Sequence, residues 1–207
     1  MYRRLLVALL FAGLFLTALA LSGCDRGPKI ARLEPDAVIL AFGDSLTYGT
    51  GAPRDQSYPA QLATRLHLQV VNAGIPGEVS AKGLARLAET LAKHRPALVI
   101  LCHGGNDFLR RRNSAQTKEN LRQMVSLIKG SGMDVILVGV PQLGLLLSPA
   151  PLYAEVAEEF GVPIEEETLS EVLSERDLKS DQIHPNAQGY AVLAEAFAHL
   201  IEKSQDR

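Results

Sequence analysis

Four residues have the types and settings to do chemistry together. Ser45 stands in Gly43-Asp44-Ser45 at the end of an apolar, β-branched run, Asn106 in Gly104-Gly105-Asn106-Asp107 at the end of another, and Asp181 and His184 share Asp181-Gln-Ile-His184-Pro185. A serine hydroxyl is a poor nucleophile at neutral pH until an imidazole takes its proton, and the imidazole works best when a carboxylate fixes its tautomer. Asp181 and His184 fit those roles. The tetrahedral intermediate also needs donors aimed at its oxyanion, and the backbone N–H groups of Ser45 and Gly74 with the Asn106 side-chain amide are the candidates. That is a site for acyl transfer. The rival nucleophile-elbow pattern G-x-S-x-G is missing, because Leu46-Thr47 follows Ser45. A two-metal phosphoesterase needs more His and Asp ligands than five histidines supply, so no metal and no cofactor is expected.

Apolar runs near residues 37–42, 68–72, 97–102, 133–140 and 162–164 read as strands. Helical spacing follows from Ser57, with Ser57 as cap and Pro59 in the first turn, and over 80–94 with Leu84, Leu87, Ala88 and Leu91 inward. Further helices are expected over 114–129, 152–160, 169–174 and from Asn186 onward. Uninterrupted strands alternating with helices predict an α/β fold, a three-layer α/β/α sandwich on a five-stranded parallel sheet of flavodoxin-like type. Ligands bind beyond the strand carboxyl ends of such sheets, which is where Ser45, Gly74 and Asn106 fall. Residues 143–151 mix Gly, Pro and leucines, fit to line a pocket or simply to pack over the core.

The chain of 207 residues, 47% of them hydrophobic, suits one domain, placed at 36–207. A net charge of −2 leaves no footprint for nucleic acid, and Arg110-Arg111-Arg112 reads as a local solvated cluster. Asp44 and Asp107 are expected to hold loop amides, and Cys102 to be a small buried hydrophobe. His103 reads as an imidazole hydrogen-bonded at a strand end, the alternative being one that polarises the acyl side of the site. His67, His94 and His199 carry no motif.

Residues 1–23 have a basic start, an apolar stretch and small residues before Cys24, the layout of a secretory signal. Leu21-Ser22-Gly23-Cys24 resembles the lipobox of bacterial lipoproteins, which implies cleavage before Cys24 and its lipidation, an uncleaved transmembrane anchor being the alternative. Asp25 resembles the residue associated with retention at the inner membrane, so a protein anchored at the periplasmic face is expected. Residues 24–35 read as a tether.

Gly43-Asp44-Ser45-Leu46, Asn72-Ala73-Gly74, Gly104-Gly105-Asn106-Asp107 and Asp181-Gln-Ile-His184-Pro185 together resemble the blocks of the SGNH (GDSL) hydrolase family. Phe108-Leu109-Arg110 is similar to its bacterial branch of arylesterases, acyl-CoA thioesterases and lysophospholipases. The resemblance implies Ser45 as nucleophile, Asp181 and His184 as its partners, Gly74 and Asn106 in the oxyanion hole, and a small ester, lipid-like or aryl, as substrate. Carbohydrate O-acetyl esters are the alternative within the family, and a non-catalytic lipoprotein that keeps the fold as a binding module is the remote one. Oligomeric state is left open.

Overall fold

The computed structural model describes residues 27–142 and 147–205. Strands β1 (Val38–Gly43), β2 (Gln69–Gly74), β3 (Leu98–Cys102), β4 (Asp134–Val138) and β7 (Ile164–Glu165) form one parallel sheet in the order β2-β1-β3-β4-β7. A two-residue antiparallel pair, β5 (Pro141–Gln142) and β6 (Ser148–Pro149), flanks it. The helices are α1 (Ser45–Tyr48), α2 (Tyr58–Leu66), α3 (Ser80–His94), α4 (Gly105–Leu109), α5 (Ser114–Gly130), α6 (Pro151–Phe160), α7 (Thr168–Ser174) and α8 (Ala187–Ser204). α2 packs on α8 with α7 beside it, while α3, α5 and α6 pack side by side, giving the expected three-layer α/β/α sandwich. β3 is buried along its whole length, as its unbroken apolar sequence demands when helices cover both faces.

The strand order places the topological switch between β1 and β3, whose chains leave to opposite layers. Register makes that crevice sharp: Gly43 lies level with Gly74 on one side and Cys102 on the other. Three polar loops therefore start at one height.

Several local expectations give way to tertiary detail. The stretch after β1 is a helical turn rather than a loop, because the Asp44 side chain accepts from Leu46 N and left-handed Gly49 ends the turn. Ser57 occupies the N-cap position of α2, yet its hydroxyl donates back to Arg54 O and caps nothing. The fifth strand lies at Ile164–Glu165, and a short helix follows Gly104 where only a loop was expected. The buried face of α3 runs through Ser80, Gly83, Leu87 and Leu91, with Ala88 exposed.

The expected tether is docked over part of its length. Ile30 is 2% exposed and its N–H donates to Ser204 O, while Ala31 N donates to Asp134 Oδ2 and Leu33 N to Gln205 Oε1. An apolar side chain with a place to bury holds the segment down. The signal, Cys24, Asp25 and residues 143–146 lie outside the described residues, among which no helix is long and apolar enough to cross a membrane.

Asn186 caps α8 through Oδ1, which accepts from Gln188 N and Gly189 N. Asn186→Ala should cost about 1 kcal/mol, read as a lower urea midpoint with unchanged slope.

Candidate active site

The four chemical residues meet in the switch crevice. Ser45 is the first residue of α1, and its Oγ lies 3.0 Å from His184 Nε2. His184 Nδ1 lies 2.8 Å from Asp181 Oδ2, so a proton on Nδ1 leaves Nε2 free to accept from the serine. Asp181 and His184 are held by their own turn. Asp181 Oδ1 accepts from the backbone N–H groups of Ile183 and His184 at 2.8 Å each, and Ser180 N donates to His184 O. Partial burial pushes the Asp181 carboxyl up, but the hydrogen bonds from the His184 ring and the Ile183 amide outweigh it and hold the group below its ordinary value.

Asn106, in the first turn of α4, donates one amide hydrogen to Asp44 Oδ2 at 3.0 Å. Its second hydrogen has no acceptor among the described residues, and Asn106 lines the cleft beside Ser45. This bond ties the end of β1 to the end of β3 across the switch point. Burial raises the Asp44 carboxyl above its usual value, opposed by nearby His103 and by the bonds from Leu46 N and Asn106. Asp44 and Asp107 thus hold loops, Asp107 by accepting from Ser80 N and Ser80 Oγ.

Gly74 has a different task from the one expected. Its N–H donates to Asn72 Oδ1 at 3.0 Å, so it is already committed and does not face an oxyanion. A Cβ on Gly74 would collide with Tyr48 N, which explains the glycine as a close approach of β2 to the turn that carries Ser45. The second glycine of the same loop, Gly77, has φ of 75° and an N–H without an acceptor among the described residues, while its carbonyl accepts from Arg110 Nη2. The sequence signal for it was a further glycine after Ile75-Pro76.

His103 is fully buried and is not among the residues lining the cleft. Its Nδ1 accepts from Gly104 N and its Nε2 meets Glu78 Oε2 at 3.1 Å, which puts the proton on Nε2. Arg86 completes this buried cluster, which motif reading missed. Its guanidinium grips Glu78 through Nε and Nη2, lies 4.0 Å over the Phe42 ring, and donates from Nη2 to Gly43 O and Ala73 O. Among the described residues, no group of three His, Cys, Asp or Glu side chains could hold a metal ion.

The cleft in front of Ser45 is a shallow depression open to solvent. Leu46, Phe108, Leu109, Val140, Pro141, Leu173 and Ile183 make most of its wall, so it favours an apolar group next to the hydroxyl. Cys102 lies buried behind, its thiol pushed up by burial and by Asp44.

Residues 41–192 match the GDSL-like Lipase/Acylhydrolase family. Thioesterase 1/protease 1/lysophospholipase L1 of Escherichia coli is 33% identical over 79% of this chain and 83% of its own length. Esterase TesA of Pseudomonas aeruginosa is 39% identical over 59% of this chain, a match spanning 64% of the relative. The crystal structure of TesA superposes with a TM-score of 0.73 at 31% identity, covering 80% of this chain and 98% of that one. With its serine, histidine and asparagine at the switch point, the chain belongs to the GDSL-like lipase/acylhydrolase family of ester-hydrolysing enzymes.

Proposed function

We propose that the protein is a serine esterase that hydrolyses lipid-like or aryl carboxylic esters and thioesters through an acyl-enzyme. The observation that carries this reading is the continuous chain Asp181–His184–Ser45 opening onto an apolar cleft. Ser45 Oγ attacks the acyl carbonyl as its proton passes to His184 Nε2, and Asp181 stabilises the imidazolium. The oxyanion takes hydrogen bonds from Ser45 N, from the second amide hydrogen of Asn106 and from the free N–H of Gly77 in the 74–77 loop, in place of Gly74. Collapse expels the alcohol or thiol with the His184 proton. Water, deprotonated by His184, then attacks the acyl-enzyme, and Ser45 recovers its proton as the acid leaves.

The relatives named esterase, thioesterase, lysophospholipase and arylesterase favour an acyl chain or aryl group as the recognised part. Lipidation of Cys24 and an anchor on the periplasmic face of the inner membrane, suggested by the lipobox-like Leu21-Ser22-Gly23-Cys24 and by Asp25, would bring the cleft to such substrates. The test is a series of p-nitrophenyl esters of graded chain length, with a serine-directed phosphonate as the active-site label. Octanoate should be cleaved well, and the phosphonate should modify Ser45 alone. Cleavage of acetate without octanoate would overturn the lipid reading in favour of O-acetyl esters.

A further inference from the structure

Beyond the cleft lies a second depression walled by Phe108, Leu109, Arg111, Arg112, Ser114 and Gln142. It shares Phe108 and Leu109 with the cleft of Ser45, so the two depressions adjoin at that wall. Every polar side chain on its wall can donate a hydrogen bond, and no acid lines it. Arg111 and Arg112 are exposed, and neither guanidinium has a hydrogen bond or ion pair among the described residues. By contrast Arg65, Arg86 and Arg122 are matched to carboxylates, and Arg110 next door is matched to Gly77 O.

The turn that presents the two arginines is fixed. Arg111 N donates to Phe108 O and Arg112 N to Asp107 O at 2.8 Å. Asp107 is anchored in turn by Ser80, and Arg111 is held at φ of 50°, a left-handed conformation that a non-glycine residue adopts at a cost. Two planar donors on a rigid turn suit a phosphate, which guanidinium groups grip with paired hydrogen bonds. The chain as a whole carries a net charge of −2, so this is a local attraction and not a general basic surface.

We infer that Arg111 and Arg112 form a subsite for a phosphate carried on the leaving group of the acyl ester. The inference rests on the esterase reading above: the acyl part fills the apolar cleft and the phosphorylated alcohol extends across Leu109. A phosphate held there contributes to binding both the substrate and its transition state, so it acts on KM.

The test compares octanoyl glycerol phosphate with octanoyl glycerol, both below their aggregation limits, using the full chain in a neutral detergent. In Arg111→Gln/Arg112→Gln the ratio of kcat/KM for the phosphorylated over the neutral ester should fall about tenfold, through KM, the size expected of two exposed charge pairs. Raising the salt should erode the wild-type ratio in the same way. An unchanged ratio overturns the subsite. So does a variant that keeps the ratio and loses only its binding to phosphatidylglycerol vesicles, since the arginines would then face a membrane. Calorimetric binding of octanoyl glycerol phosphate to Ser45→Ala, with and without the arginine substitutions, reads the subsite without turnover. Failure of p-nitrophenyl octanoate hydrolysis by the wild type would sink the esterase reading, while this binding difference would still decide the subsite.

Discussion

Ser45→Ala and His184→Ala should each lower kcat on p-nitrophenyl octanoate by about 10⁵ to 10⁶-fold, and the double variant should be no worse than either. The reason is that Ser45 Oγ, His184 Nε2, His184 Nδ1 and Asp181 Oδ2 form one hydrogen-bonded chain, at 3.0 and 2.8 Å, so removing either end of the proton transfer removes all of it. What survives is the polarisation of the carbonyl by Ser45 N and its neighbours. Asp181→Asn should cost less, about 10⁴-fold. An amide there either turns a donor toward His184 Nδ1 or loses the acceptor for Ile183 N and His184 N, and both outcomes disturb the tautomer that Ser45 needs. Because its hydrogen bonds hold Asp181 below the ordinary carboxylate range, loss of activity between pH 7 and 5 cannot come from protonating it. Single-turnover kinetics on purified, folded variants check all three. A Ser45→Ala enzyme retaining a tenth of the wild-type rate would end the acyl-enzyme mechanism.

Ser45 and Asn106 were legible because each stands where a local pattern changes, an apolar run stopping at a glycine with a polar side chain left at the edge, and His184 because it stands three residues after Asp181 and just before a proline. The parallel sheet was legible for the same reason, through the unbroken runs of β1 and β3. Gly74 shows where this reasoning stops. A glycine beside a strand end can be there for its free N–H or for its missing Cβ, and only the folded chain separates the two. Here Asn72 turns back onto the Gly74 amide while its own amide donates to Thr47 O, a contact over 25 positions that no spacing encodes. The inward face of α3 was misplaced by the same limit. Periodicity counted Ala88 as inward with Leu84, Leu87 and Leu91, yet of these only Ala88 is exposed, and Gly83 is turned in where His103 fills the space its side chain would need. Arg86 then reads as one more surface charge on an amphipathic helix, although its guanidinium reaches the two strand ends that carry the site.

Replacing that guanidinium is the second large effect. Arg86→Met should destabilise the protein by about 3–5 kcal/mol, since it leaves the Glu78 carboxylate, 6% exposed, facing only a His103 ring. It also removes the donor shared by Gly43 O and Ala73 O, the last carbonyls before Asp44-Ser45 and before the 74–77 loop. Arg86 is therefore a positioning residue: kcat should fall at least tenfold at a temperature where the variant is fully folded, with KM little changed, because the cleft wall is untouched. Arg86→Lys keeps the charge but lacks the fork that spans Glu78 and both carbonyls, so it should restore stability more than kcat. The acid side supplies an independent readout. Burial pushes the Glu78 carboxyl up, and the bonds from His103 and Arg86 overcome this and hold it below its ordinary value. A carboxyl lowered by folding stabilises fully above its unfolded value and loses that contribution as pH falls through the lowered one. Without Arg86 only the His103 bond is left to oppose burial, the Glu78 value rises, and the acid unfolding midpoint should move to higher pH. Urea titrations at pH 7 and 4, with Glu78→Gln as the control that abolishes the shift, decide it: an Arg86→Met variant with wild-type stability and an unmoved acid midpoint would show that the strand ends hold themselves.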